Sequence, residues 1–443
     1  MQTRLERMWG QIRSWREDEA ISTLRLNPSL GKSDLAKLRK ILDDAIDGRG
    51  GELAARKRAS EVGSCFLELN SEGRRRFFEL LANEYAHDDD AVDAAIAEVQ
   101  AAPAGYRAQA EDRLRNVLRP KRERLFRRFV GLQGGLSFLV DLREELLPLR
   151  RESPALASLD QDLRITLARF FDVGLLRLER LTWESPAVVL EKLIEYEAVH
   201  EIKGWADLRG RLDRGRRCYA FFHPAMANDP LIFVEVAFTT GVPNALEPLL
   251  DHSIDKSDPT EADSATFYSI SNCHYGLTGV SLGDLLIKSV VGELARDLPN
   301  LRNFVTLSPI PGLRTWVQDN ATDVRSLIPS GLPAGPGEIA DLKPKLEQLA
   351  ARYLARESAP ESSEDGSSTR ALDPVAHFHL SNGAEIYRLN WWANPTETGW
   401  DRSMGIMVNY RYEPAFIGDR HDAYAASGKR PISEMVRKLL PNN

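Results

Sequence analysis

The sequence predicts an α + α/β protein: an all-helical bundle over residues 1–190, followed by a mixed α/β catalytic domain over 191–443. Three observations carry this expectation. At 443 residues the chain is too long for one ordinary core. Its first 190 residues place apolar side chains at three- and four-residue spacing almost throughout. From about residue 215, segments rich in β-branched and aromatic residues take over.

Taken in order, Arg75 to Ala86 and Leu139 to Leu149 read as amphipathic helices. Leu156 to Leu181 reads as helical for several turns, with Phe170, Phe171, Leu175, Leu176 and Leu178 as expected core. Ser185-Pro186 marks a helix start, a capping hydroxyl followed by proline in the first turn. Strands are expected at Cys218 to Phe222, Leu231 to Thr240, Ala265 to Ser271 and Phe304 to Leu307, with His223 to Pro230 as a hairpin connection. Gly283 to Leu298 reads as a helix with Leu285, Leu286, Val290, Val291 and Leu294 on one side. Strands resume at His377 to Ala393 and Gly405 to Tyr412, and Trp391 and Trp392 are expected in the core. Between them, Arg356 to Arg370 is rich in serine and carboxylates and almost without apolar residues, so a flexible loop is expected there.

Composition narrows the function classes. Hydrophobic residues at 43% and charged residues at 28% are the balance of a soluble globular protein. A net charge of -7 argues against a general nucleic-acid binder, which needs a basic surface for phosphates. Cys65, Cys218 and Cys273 form neither a disulfide framework nor a C-x-x-C metal pattern, which suits a reducing cytoplasm. Met1 to Ala20 alternates charges with single apolar residues rather than presenting an apolar signal stretch. No run approaches the roughly 18 apolar residues of a membrane span. A cytoplasmic protein is expected.

Four features are candidates for chemistry. Phe267 to Asn272 reads as a strand, Cys273 to Gly283 as a glycine-bearing loop and Asp284 to Asp297 as a helix. Free N–H groups at such a helix entrance suit an anion, although spacing alone favours an ordinary tight turn with Asp284 as a first-turn acid. The pattern is not the dinucleotide G-x-G-x-x-G fingerprint. Ser308 ends a strand before Pro309-Ile310-Pro311-Gly312, whose prolines stiffen the chain after the hydroxyl; nothing nearby resembles a G-x-S-x-G elbow. On a strand, His377 and His379 would share a face, but nothing completes a zinc shell around them. Tyr412 reads either as a strand aromatic at the surface or as a site residue.

These strings together are more specific than any one of them. Phe267-Tyr268-Ser269-Ile270-Ser271, Gly276 to Gly283, Leu307-Ser308-Pro309-Ile310-Pro311-Gly312, Phe378 to Ala384 and Asn409-Tyr410-Arg411-Tyr412 occur in that order. In that order they resemble the malonyl-CoA decarboxylase family, whose members convert malonyl-CoA to acetyl-CoA and carbon dioxide without metal or organic cofactor. The resemblance implies a catalytic domain of the GNAT acetyltransferase fold. There the loop after the fourth strand holds the CoA pyrophosphate, here Thr278, Gly279, Val280, Ser281, Leu282, Gly283 and Asp284. It implies Ser308 as the catalytic serine, His379 as the catalytic acid and Tyr412 beside the acyl group. Histidine suits an acid because its ordinary pKa of about 6.5 lets it give up a proton near neutrality. Two departures stand out: Thr278 replaces a common Gln or Arg of GNAT loops, and Ser281 replaces an acid of some decarboxylases. A homo-oligomer, dimer or tetramer, is expected, with neither nucleic acid nor membrane as partner. The alternatives are an acyl-CoA N-acyltransferase of the same fold and a non-catalytic CoA sensor.

Overall fold

The structure is a computed structural model describing residues 25–441 apart from 104, 252–257, 281 and 361–369, with the side chains of 173 and 283–285 also left aside. The amino-terminal stretch Met1 to Ala20, Ser281 and most of the Arg356–Arg370 loop therefore lie outside the described residues, as do the side chains of Leu285 and Asp284. The chain divides into two compact units, and the first is discontinuous: it takes in residues up to Leu176 together with His223–Ala227 and His274–Val280.

Helices make up most of the first unit: α1 (Lys32–Ile46), α2 (Glu52–Glu68), α3 (Ser71–Glu84), α4 (Asp89–Ala101), α5 (Arg107–Val117), α6 (Lys121–Val130), α7 (Gly135–Leu146) and α8 (Pro154–Phe170). Short polar side chains start several of them. Asn70, Asp88 and Ser153 each accept a hydrogen bond from a free N–H of the first turn, and Pro154 follows the last of these caps. Phenylalanines fill the centre: Phe66 and Phe77 stand 5.0 Å apart, and Phe129 and Phe138 4.8 Å apart.

The expected helix over Leu156 to Leu181 ends at Phe170. Asp172 accepts the N–H of Gly174 and turns the chain, and Arg177–Leu181 becomes the first strand, β1. Of the five expected core residues there, Phe171 is buried, Phe170, Leu176 and Leu178 are partly covered, and Leu175 is exposed.

The second unit is a mixed α/β domain. It runs β1, α9 (Ala187–Tyr196), α10 (Trp205–Arg211), β2 (Arg216–Phe222), β3 (Pro230–Thr239), α11 (Glu247–Leu250), β4 (Ser264–Asn272), α12 (Gly283–Asp297) and β5 (Asn303–Thr306). Then follow β6 (Ser308–Pro309), α13 (Leu313–Asn320), α14 (Lys343–Arg356), α15 (Pro374–Ser381), β7 (Glu385–Asn390), α16 (Glu397–Ser403), β8 (Met407–Tyr412), α17 (Ile417–Ser427) and α18 (Glu434–Arg437). The strands form one sheet in the order β1-β2-β3-β4-β5-β8-β6, with β7 also on β8. Neighbours are antiparallel except β4 and β5, which are parallel and joined through α12. Their pairing stops at Phe267 and Thr306. Beyond it β4 stays with β3, whereas the chain after β5 pairs with β8. The sheet therefore parts immediately before Ser308. Tyr268 is the extra residue of a bulge at the same level, since Val236 faces Phe267 and Glu235 faces Ser269.

The sequence reading of His377 to Leu380 as a strand is corrected: these residues lie in α15. Asp373 caps it by accepting the N–H of Ala376 at 2.8 Å, Pro374 occupies its first turn, and the chain leaves through Gly383 at φ +81°. A local cap outweighed the apolar, aromatic composition. His377 and His379 consequently do not share a face as strand neighbours: His377 Nδ1 lies 3.0 Å from Tyr424, and His379 points elsewhere. Trp391 and Trp392 are partly covered rather than core. Among the described residues no helix is long and apolar enough to cross a membrane.

Candidate active site

Alternation along β5 and its continuation puts Thr306 and Ser308 on one face and Leu307 on the other, where Leu307 packs with Tyr268 and Met407. Ser308 pairs with Val408 of β8, and Phe304 pairs with Tyr412. Tyr410 and Tyr412 of β8 therefore share the face of Thr306 and Ser308. Against that face α15 delivers His379.

The groups meet in one hydrogen-bonded line. Ser308 Oγ lies 3.1 Å from His379 Nε2 and 2.9 Å from Thr306 Oγ1. His379 Nδ1 lies 2.7 Å from the Tyr412 hydroxyl. Tyr410 lies nearly flat on the imidazole, with ring centres 4.4 Å apart at 27°. Its backbone N–H donates to Thr306 Oγ1 at 3.1 Å, and Asn409 Nδ2 donates to the Thr306 carbonyl at 2.7 Å. Every member is buried, His379 at 2% exposure and Ser308 at 6%. On the opposite face a cavity of about 810 Å³ is lined by His200, Leu246, Pro309 and Met407 among others, so Pro309 faces it while Ser308 faces the imidazole.

Burial sets the charge of the line. Burial pushes the His379 imidazole down to about 3, so it is neutral at pH 7. The unfolded chain binds a proton at this side chain near pH 6.5, the fold only near pH 3, so the unfolded state holds more protons across that window. Stability must therefore fall as pH falls through it, by up to about 1.4 kcal/mol per pH unit from this group. Melting temperatures at pH 7 and pH 5 are expected to drop further for the native chain than for His379→Gln; equal drops would contradict the buried neutral imidazole. Asp373, at the start of α15, is also held up, to about 6, by burial and against the pull of the first-turn N–H groups.

The candidate phosphate loop falls in two parts. Thr278, Gly279 and Val280 belong to the segment grouped with the helical unit, and Leu282 to the domain with α12. Thr278 Oγ1 donates to the Tyr275 carbonyl at 2.7 Å, so its hydroxyl is engaged locally. Gly279 has φ +78°. Buried Arg143 donates to the carbonyls of Gly276 at 2.7 Å and Thr278 at 2.8 Å while Asp160 holds its Nε. A Cβ on Gly276 would stand 2.0 Å from the Val140 carbonyl oxygen, so only glycine fits there. Leu282, at the entrance of α12, makes no side-chain cap hydrogen bond.

Family models match the chain twice, as "Malonyl-CoA decarboxylase N-terminal domain" over residues 85–171 and "Malonyl-CoA decarboxylase C-terminal domain" over residues 174–443. The chain belongs to the malonyl-CoA decarboxylase family. The mitochondrial malonyl-CoA decarboxylase of Anser anser anser is 34% identical over 429 residues, 87% of this chain and 84% of that protein. That of Rattus norvegicus is 36% identical over 382 residues, 77% of this chain and 75% of that protein. The crystal structure of malonyl-CoA decarboxylase from Rhodopseudomonas palustris superposes with a TM-score of 0.83 at 36% identity, covering 91% of this chain and 99% of the other. The Agrobacterium vitis structure gives 0.81 at 36% identity, covering 92% and 100%.

The structure thus brings together Ser308, His379 and Tyr412 of the sequence candidates. Thr306 and Tyr410 escaped the sequence reading, although each stands two residues from a candidate on a strand, the spacing that shares a face. A second buried polar group was also missed: Glu197 accepts the hydroxyls of Ser269 and Ser271, and Glu235 pairs with Arg211 at 2.9 Å. The signal was a lone carboxylate inside the apolar run Leu231 to Thr240.

Proposed function

We propose that this chain decarboxylates malonyl-CoA to acetyl-CoA and carbon dioxide at the Ser308–His379–Tyr412 line, with no metal or organic cofactor. The single observation that carries this is the buried 3.1 Å approach of Ser308 Oγ to His379 Nε2 in a chain of this family. The substrate brings its own electron sink. As the C–CO2 bond breaks, its electron pair enters the thioester carbonyl and gives an enolate; the α carbon then takes a proton. The protein has to orient the leaving carboxylate across the carbonyl plane, stabilise the oxyanion and supply that proton. A preorganised donor at the oxyanion contributes about 10²–10³ in rate, and Ser308 is assigned to the thioester oxygen or the carboxylate.

His379 is assigned the proton. Each turnover consumes one from solvent, because a carboxylate leaves as neutral CO2. The free imidazole is neutral, so it takes this proton when the malonyl carboxylate arrives: an anion brought into the buried pocket offsets the desolvation that otherwise keeps His379 uncharged. Nε2–H then protonates the nascent carbon, and Tyr412 holds Nδ1. CoA phosphates are assigned to the backbone of Thr278 to Asp284, with no side-chain help from the Thr278 hydroxyl, which is engaged with Tyr275.

We further place the protein in the cytoplasm, as a homo-oligomer acting in malonate or fatty-acid metabolism without a nucleic-acid partner. Three buried cysteines outside any disulfide and the net charge of -7 support the compartment and the last point. The curated relatives are named mitochondrial. The test is to incubate purified protein with malonyl-CoA, without amine or added metal, and follow acetyl-CoA by mass. Conversion is expected; bound CoA without conversion would defeat the reading.

A further inference from the structure

Counting protons in the buried line shows which way its hydrogens point. Thr306 is fully buried, and its Oγ1 accepts the backbone N–H of Tyr410. A hydroxyl also carries one hydrogen of its own, and a buried donor left unused is costly. The remaining neighbour of Thr306 Oγ1 in the line is Ser308 Oγ at 2.9 Å. Were Ser308 to give its hydrogen to Thr306, the threonine hydrogen would be stranded. If Thr306 gives instead, Ser308 accepts from Thr306 and donates to His379 Nε2, His379 carries its hydrogen on Nδ1 toward Tyr412, and the one hydrogen left for a partner outside the line is that of the Tyr412 hydroxyl, at its end.

We infer that Thr306 is a positioning residue for the reaction: pinned by the Tyr410 N–H, it donates to Ser308 and thereby fixes His379 as the Nδ1–H tautomer. The inference rests on the proposed decarboxylation for its kinetic consequences, but not for the tautomer. In the resting enzyme Nε2 is then bare, ready to take the proton each turnover consumes. Once Nε2 is protonated it donates to Ser308 Oγ, which now accepts from both Thr306 and His379. The serine's own hydrogen has nowhere left in the line and turns to the substrate. A fixed donor at Thr306 thus couples protonation of His379 to release of the Ser308 hydrogen, without any backbone movement. The locking is strong because β8 holds Thr306 twice, by Tyr410 N–H at the hydroxyl and by Asn409 Nδ2 at the carbonyl.

The experiment combines 15N-histidine NMR with kinetics on the full chain. There are eight histidines, and the spectrum lost in His379→Gln assigns the one in question. The native protein is expected to show His379 as the Nδ1–H tautomer at pH 7. Thr306→Val, which removes the hydroxyl but keeps the shape, is expected to introduce the Nε2–H tautomer. It should also lower kcat for malonyl-CoA by about tenfold to a hundredfold with KM changed less than about twofold. Thr306→Ser should keep both the native tautomer and kcat within about threefold. An Nε2–H tautomer in the native protein overturns the inference. So does a Thr306→Val protein with native tautomer and kcat, or a Thr306→Ser protein as impaired as Thr306→Val. Should Thr306→Val not fold, the native tautomer and Thr306→Ser decide. A native protein that binds CoA but does not turn over malonyl-CoA removes the proposed function and leaves the tautomer result standing.

Discussion

His379→Gln is expected to lower kcat for malonyl-CoA by about 10²–10⁴-fold, the range general acid catalysis supplies, while CoA still binds. Glutamine is close in length and hydrogen-bonds at both ends, so the stack on Tyr410 and the polarity of the pocket survive. What it cannot do is pick up a proton and release it to carbon. The loss should therefore fall on kcat rather than KM, the signature of an interaction made in the transition state alone. For the native chain the same reasoning gives kcat a descending limb at high pH, where the complex can no longer charge its imidazole. The measurement is initial rate against malonyl-CoA concentration, with CoA binding followed separately. A variant with kcat within about threefold of native would remove His379 from the proton step.

Arg211→Met is expected to be the most damaging change to stability, by about 3–5 kcal/mol. The guanidinium donates to Glu235 at 2.9 Å, to Asp207 at 3.1 Å and to the Glu201 carbonyl at 2.9 Å, with its side chain 4% exposed. Glu235 is buried as deeply, at 2%. Burial already holds that carboxyl well above the usual range despite the arginine, and Glu197 adds to the effect. Without Arg211 the carboxylate has to protonate or unfold the domain around it. Because its folded-state pKa is raised, the stability it costs grows as pH rises above the ordinary glutamate value of about 4.3. Thermal unfolding should therefore show a larger deficit at pH 8 than at pH 5. The double change Arg211→Met with Glu235→Leu should recover much of the loss, since the charge to be buried has gone. A double variant as unstable as the single one would mean the arginine acts through packing alone.

How much of this was legible depends on whether the information is local. The strand at Phe267 to Ser271 and the helix after Gly283 were readable because composition and spacing agree with the tertiary setting. At α15 they disagree. The residues around His379 are apolar and aromatic, which suggests a strand, yet Asp373-Pro374 carries the same cap-then-proline pattern that was read at Ser185-Pro186. There the Ser185 hydroxyl instead accepts the N–H of Thr182, whereas Asp373 does cap its helix. Arg177–Leu181 failed for the converse reason: its leucines continue a helical count, and the break is made by one side chain, that of Asp172. Ser308, His379 and Tyr412 were named by resemblance, and no spacing argument brings together residues 71 positions apart. Thr306 and Tyr410 matter only because β5 and β8 are neighbours, a pairing that belongs to the sheet and not to either strand. The Arg211–Glu235 pair is of the same kind, visible beforehand only as a carboxylate without an explanation.

The division of the chain into units has a consequence for how the protein can be made. Arg143 waits for the carbonyls of Gly276 and Thr278, which follow it by 133 and 135 residues, and Phe171 for His223. On the ribosome, where domains tend to fold as they emerge, the helical unit is still missing pieces when its last helix is complete. It becomes whole only after four of the eight strands of the central sheet have been synthesised. The two units are therefore not interchangeable modules: a gene cut between Leu176 and Arg177 separates nothing that is finished, and recombination at that point would inherit half of two structures rather than one of each.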